Sequence, residues 1–129
     1  MARTLPHQSD WNAARHILAV RLDAMGDLLM TSPALRALKR ARRGRRLTLL
    51  TSSAGAAMAR LIPEIDDVIV YQAPWMKASS RSGNADADRA MIEQLRAAKF
   101  DGAVIFTVHS QNPLPAATLC YLADIPLRL

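Results

Sequence analysis

The sequence predicts an α/β protein built on a doubly wound parallel sheet, and three observations predict it. Four short apolar runs, 17–22, 47–51, 68–71 and 103–108, are rich in Val, Ile and Leu. Their hydrophobicity is continuous rather than alternating, as burial on both faces of a parallel strand requires. Stretches with apolar residues at helical spacing separate and follow them, and strand alternating with helix is the pattern of a parallel sheet with right-handed crossovers.

The elements follow in order. Ile17 to Leu22 reads as the opening strand, and Ala34, Leu35, Ala37, Leu38 and Ala41 then share one helical face. Two starts are open for that helix. Ser32-Pro33 has the form of an N-cap and first helical residue, whereas Leu28 and Leu29 would begin the helix earlier with a kink at the proline. Gly44 closes it. Leu47 to Thr51 is the second strand, 56–62 a short helix ended by Pro63, and Val68 to Tyr71 the third strand. Residues 72–84 hold Pro74, Ser79, Ser80, Ser82, Gly83 and Asn84, a loop long for a crossover and therefore a linker or a binding loop. Met91, Ile92, Leu95 and Ala98 mark the third helix, Ala103 to Val108 the fourth strand, and Ala116 to Leu122 the fourth helix. Asp124-Ile125-Pro126 is a turn, and Leu127 to Leu129 reads as the opening of a further strand, so a piece of something longer is expected.

At 129 residues the chain is expected to hold one Rossmann-like domain, 17–129, after a polar N-terminal extension, 1–16. That extension lacks the apolar segment of a secretory signal, and no uncharged apolar run approaches the roughly 18–20 residues that cross a bilayer. The expected location is the cytoplasm, with any membrane contact peripheral. Cys120 is the single cysteine, so no intramolecular disulfide is available, and in its apolar stretch it reads as a small buried hydrophobe rather than a nucleophile. His7, His16 and the six Met residues show no metal-ligand spacing.

Of the 17 Lys and Arg residues, seven lie between Arg36 and Arg46 with no acid among them. Such a run is a solvated helix end complementing the dipole, or a patch for an anionic lipid surface or a phosphate-bearing substrate. Without interleaved aromatics or a recognised binding motif, nucleic acid is not an expected partner.

Chemistry is expected after the strands, where an open parallel sheet forms its ligand crevice. The stretch 21–33, RLDAMGDLLMTSP, has one glycine and is neither a dinucleotide fingerprint nor a Walker loop. It offers Asp27 beside Gly26 at a helix entrance. Asp27 is either a helix-capping aspartate or a catalytic base, and Gly26 permits close approach or a φ > 0 turn. Asp23 and Arg21 flank it, as acceptor contacts or as a satisfied ion pair. After the fourth strand, His109 and Gln111 offer polar groups, His109 as an acceptor-orienting ligand or a plain loop residue. Trp75 and Lys77 open the long loop; Trp75 is a saccharide platform beside cations, or a plug for the core. A phosphoacceptor signalling domain is excluded, because no Asp ends a later strand.

The stretch from Ile17 to Lys39, ILAVRLDAMGDLLMTSPALRALK, resembles the amino-terminal motif of glycosyltransferase family 9, the ADP-heptose:lipopolysaccharide heptosyltransferases. Residues 63–71, PEIDDVIVY, and 95–105, LRAAKFDGAVI, are similar to later segments of that family. The resemblance implies the amino-terminal, acceptor-holding half of a GT-B fold, without the carboxy-terminal donor-binding domain. It implies an inverting transfer of heptose or a related sugar from a nucleotide-diphosphate sugar such as ADP-heptose to a lipopolysaccharide-type or other glycan acceptor, with no metal or resident cofactor. Asp27 would be the base, and Asp23, Gly26, Trp75, Lys77, His109 and Gln111 would face the acceptor. By itself the chain would be inactive. Phe106-Thr107-Val108 and the Ser-Gln-Asn-Pro that follows His109 depart from the family's pattern at its acceptor loop, which leaves the acceptor open. The competing expectation is a non-catalytic module that binds an anionic glycolipid through the basic run.

Overall fold

A computed structural model of the chain describes residues 8–23, 25–76, 85–108 and 110–129. Five strands, β1 (His16–Arg21), β2 (Arg46–Thr51), β3 (Asp67–Val70), β4 (Gly102–Ile105) and β5 (Leu127–Arg128), form one sheet in the order β3-β2-β1-β4-β5. All four pairings are parallel. The chain steps outward from β1 through β2 to β3, then returns to the opposite side of β1 for β4 and β5. This reversal between β1 and β4 is a topological switch point, where the loops leaving two adjacent strands diverge and open a crevice.

The helices are α1 (Gln8–Ala13), α2 (Met25–Arg40), α3 (Ser53–Ala59), α4 (Ala85–Ala98) and α5 (Leu114–Leu122). Strand register places Ile17, Ala19, Leu47, Leu49 and Val104 on one face, packed with Leu28 and Leu35 of α2 and Ala59 of α3. Leu18, Val20, Leu50 and Ala103 point to the other face and meet Met91 and Leu95 of α4 and Leu119 and Cys120 of α5. The sheet is thus covered on both sides, as the continuous apolar runs of β1 and β2 require. The third run departs from that expectation: β3 is an edge strand and alternates, leaving Val68 and Val70 exposed.

The two possible starts of the first long helix resolve to the earlier one. α2 begins at Met25 and runs through Pro33, because Leu28 and Leu35, seven residues apart, form a single buried stripe. Thr31 Oγ1 donates to the Asp27 carbonyl at 2.8 Å, one turn back. Gly44 sits at φ +77°, the left-handed turn expected of it. α3 starts three residues before the apolar pattern suggests, because Ser52 caps it: its Oγ accepts from Gly55 N at 3.2 Å.

The stretch before β1 is not merely a polar extension. Residues 8–13 form α1, and the Trp11 ring lies over Gly102, where an added Cβ would approach the ring at 2.8 Å. The basic run accounts for this docking. Arg45 is buried and donates to the carbonyls of Trp11 at 2.6 Å, Ala14 at 2.9 Å and Leu38 at 2.9 Å, and Arg42 donates to Asn12 O at 2.9 Å. Arg36 pairs with Glu64 at 2.9 Å, Arg46 with Asp67 at 2.6 Å, and Lys39 with Asp66. Five of the seven cations therefore make contacts at the amino ends of the strands, while Arg36 and Arg46 stay more than half exposed. They lie at the end of the sheet opposite the crevice. Among the described residues no helix is long and apolar enough to cross a membrane.

Candidate active site

A cleft of about 840 Å³ opens at the carboxyl ends of the strands. Its walls come from four connections: Asp23 and Asp27 after β1, Ser52 and Ser53 after β2, Tyr71 to Trp75 after β3, and Phe106 to Asn112 after β4, among which His109 is outside the described residues. The sheet's topology alone brings these loops together.

Asp27 occupies the first turn of α2, where free backbone amides and the helix dipole favour a negative side chain. It is not an N-cap, since two helical residues precede it. Its carboxylate is 40% exposed and lies 3.5 Å from Arg21 Nη2. Asp23 is the buried partner, 7% exposed, and meets the same nitrogen at 3.2 Å. One guanidinium, itself buried at the end of β1, thus stands behind two carboxylates. Burial raises the Asp23 pKa above its usual value; the Asp27 charge acts in the same direction, while Arg21 and Gln111 oppose it.

Gln111 reaches back across the cleft. With its amide nitrogen turned toward Asp23, it donates to both carboxylate oxygens at 3.2 Å. Ser52 Oγ donates to the Asp23 backbone carbonyl at 2.9 Å. The loops after β1, β2 and β4 are therefore locked around Asp23, which holds Arg21 and through it the position of Asp27.

Trp75 has both a core-facing and a cleft-facing side. It packs against the core beneath the loop and also lines the cleft, with its ring centroid 5.9 Å from that of Tyr71 in an edge-on arrangement. Tyr71 in turn donates to Asp88 Oδ1 of α4 at 2.8 Å, which fixes the wall.

The structure thus brings Asp27, Asp23, Gln111 and Trp75 to one cleft. Gly26 is exposed beside it in the first turn of α2, and an added Cβ would meet nothing within 4 Å. The expectation of a positive-φ turn at Gly26 is not met: Gly44 holds that conformation instead. Lys77 and His109 lie outside the described residues. Sequence reasoning overlooked Ser52, Ser53 and Gln72, which line the cleft, Gln72 donating to Ser53. The signal was available, since each lies within two residues of a strand's carboxyl end. Among the described residues no group of three or more His, Cys, Asp or Glu side chains converges.

Fold and cleft together define a doubly wound, Rossmann-like α/β domain with its ligand crevice at the switch point. No family model matches the chain. The fold is that of glycosyltransferase structures: 88% of the chain superposes on 30% of the glycosyltransferase family 9 structure from Veillonella parvula, with a TM-score of 0.66 at 19% identity. The same share superposes on 29% of the ADP-heptose LPS heptosyltransferase II of E. coli, with a TM-score of 0.68 at 18% identity. In sequence the chain is 31% identical, over 96 residues, to a Haemophilus influenzae protein provisionally designated a glycosyltransferase. That match covers 74% of this chain and 25% of the relative. The chain thus spans 25–30% of the proteins it resembles. Its resemblance to glycosyltransferase family 9, first legible in the Arg-Leu-Asp-Ala-Met-Gly-Asp run, is borne out by a sequence relative and by two solved folds.

Proposed function

We propose that this chain is the acceptor-side part of an inverting glycosyltransferase that moves heptose, or a related sugar, from a nucleotide-diphosphate sugar such as ADP-heptose to a glycan acceptor. The observation that carries this reading is the placement of Asp27, open to the cleft at a helix N-terminus while Arg21 braces it from behind. An acceptor hydroxyl in the cleft gives its proton to Asp27 as its oxygen bonds to the anomeric carbon. The bond from that carbon to the diphosphate breaks, and the electron pair leaves with the nucleoside diphosphate. Attack opposite the leaving group inverts the anomeric configuration. Donor-binding groups are assigned to the carboxy-terminal domain that the family resemblance implies. We expect no metal requirement, with fixed dipoles and cations stabilising the departing diphosphate. The free, buried Cys120 suits the reducing cytoplasm in which we place the reaction.

The test is Asp27→Asn in the complete protein, assayed with a nucleotide-diphosphate heptose and a glycan acceptor. Transfer should fall by about 10²–10⁴-fold while circular dichroism and thermal melting stay unchanged. EDTA should leave the wild-type rate intact. Turnover retained by the Asn variant overturns the base assignment, and transfer by the 129-residue chain alone overturns the two-part reading.

A further inference from the structure

We propose that the outer faces of α2 and α3 form a docking surface for an anionic lipid bilayer. Leu29, Met30 and Leu61 enter the apolar edge of the headgroup layer, and Arg36, Arg40 and Arg60 meet its phosphates. The surface lies outside the cleft, so the proposal stands apart from the glycosyl-transfer reading.

The first argument is what the two helices expose. α2 and α3 cover the same side of the sheet and pack against each other. Along α2 the exposed positions recur every three or four residues, so Leu29, Met30, Pro33, Arg36, Ala37 and Arg40 share its outward side. Every one is apolar or basic. α3 and the turn after it add Ala57, Arg60 and Leu61, all exposed. Met30 is 83% exposed, Leu61 70% and Leu29 50%. Single exposed apolar residues are ordinary on a protein surface. Large ones set among cations form the pattern of an interfacial helix, whose apolar side chains sink to the headgroup boundary while arginines hold the phosphates.

The second argument is charge, which can be accounted for over the whole chain. All 11 Asp and Glu residues fall within the described segments, and none lies on α3 or on α2 beyond Asp27. Glu64, which borders this side, has its side chain 12% exposed and is taken by Arg36 at 2.9 Å. Arg40 and Arg60 are exposed and form no ion pair among the described residues. α4, on the opposite side of the sheet, shows the solvated alternative. There Arg89 pairs with Asp86 at 2.9 Å and Arg96 with Glu93 at 2.6 Å, each acid three residues back along the helix. A soluble anion would satisfy the arginines of α2 and α3 and leave Met30 and Leu61 in water, whereas a bilayer takes up both. Because Asp27 precedes Leu29 by two residues on α2, docking here sets the mouth of the cleft beside the bilayer.

The test floats the 129-residue chain with vesicles of phosphatidylcholine alone or of an equal mixture with phosphatidylglycerol. The chain should bind the mixed vesicles, leave them at high salt and stay off the neutral ones. Arg40→Gln with Arg60→Gln should weaken binding by about tenfold. Arg89→Gln with Lys99→Gln, which removes the same charge from α4 and its end, should weaken it by no more than about threefold. An indole introduced by Met30→Trp should shift to the blue and be quenched by brominated acyl chains on the mixed vesicles, read as the difference from the parent. Equal losses in the two double variants assign the attraction to net charge and overturn the proposal. So does an indole at position 30 that stays in water on the vesicles. An indole already shielded in the complete protein without vesicles overturns it as well, since another protein surface then covers this face. Circular dichroism matching the parent's certifies each variant as folded.

Discussion

Gly55 sits directly over the hydroxyl of Thr51: a Cβ placed on Gly55 would fall 1.9 Å from Thr51 Oγ1 and 3.2 Å from its Cβ. The first turn of α3 therefore rests on the end of β2 with no side chain between them, and this contact sets the height of Ser52, which caps α3 and holds the Asp23 carbonyl. Gly55→Ala should destabilise the fold by about 1–3 kcal/mol, because overpacking outweighs the helix-propensity gain of alanine. Thr51 Oγ1 is buried without a hydrogen-bond partner among the described residues, so Thr51→Ala forfeits no bond and removes the clashing atom. Urea denaturation of both single variants and the double should show coupling, with Thr51→Ala rescuing part of the Gly55→Ala loss. Strict additivity would argue against the contact.

Gly26 makes the opposite case. It lies in the first turn of a helix with open space where a Cβ would go, so Gly26→Ala should fold as well as the parent, with stability unchanged or raised by up to about 1 kcal/mol. If an acceptor approaches the backbone beside Asp27, the same methyl should raise KM for the acceptor in the complete transferase while thermal stability holds. Unchanged KM and kcat would remove Gly26 from the site.

These two glycines show what was legible in the sequence and what was not. β1 and β2 were readable because both their faces are buried, so Ile17 to Val20 and Leu47 to Leu50 are apolar at every position but Thr48. β3 carries the same apolar signature at an exposed edge, and composition does not report which strand ends the sheet. The start of α2 was left open because Pro33 resembles a first helical residue, and only the packing of Leu28 with Leu35 on one face decides it. Asp27, Asp23 and Gln111 were legible from their places after strands. The sharing of Arg21 between Asp23 and Asp27 was not, since it depends on how the loop folds back on the strand that supplies the guanidinium. α1 escaped notice for a similar reason: its docking depends on Trp11 over Gly102 and on Arg45, which in sequence is one cation among seven.

Arg45 and Arg43 should therefore behave differently despite standing two residues apart. Arg45→Met leaves the carbonyls of Trp11, Ala14 and Leu38 without their charged donor and should cost about 2–4 kcal/mol. Arg43 is exposed, and Arg43→Met should change stability by no more than about 0.5 kcal/mol. Chemical denaturation of the two variants side by side separates the readings. Equal, small effects would return the whole run to the status of a solvated surface.

Cys120 should be silent until the fold opens. Burial pushes its thiol up to about 11, so little thiolate exists in the native state near neutral pH and reagent access is closed. A disulfide reagent such as DTNB at mildly alkaline pH should titrate the thiol only after urea is added. Rapid reaction of the native chain would place the α5 interior in contact with solvent.

His16 should give the fold an acid-side weakness of its own. Its ring exchanges a 2.9 Å hydrogen bond with Thr48 Oγ1 and packs at 4.3 Å from Phe100. Burial, and then the Arg46 charge, hold its pKa below the usual 6.5, against weaker opposing effects from the Ala98 backbone and from Asp101 and Asp67. Below pH 6.5 the unfolded chain takes up a proton at His16 that the native state resists, so stability falls as pH drops from 6.5 toward the depressed native value. The carboxylates of Glu64, Asp66 and Asp67 are depressed by their cations and backbone donors, so their contribution is intact above their usual values, 4.5 and 3.8, and is lost only as pH falls further. Asp23 works with the opposite sign: its raised pKa lets the native state hold a proton longer, which costs stability as pH rises from 3.8. Comparing the chain with His16→Gln cancels every contribution except the histidine's. Urea midpoints measured from pH 7.5 down to pH 5 should fall for the parent and stay flatter for the glutamine variant. Parallel curves would mean that His16 titrates alike in both states and that its burial beside Arg46 carries no cost.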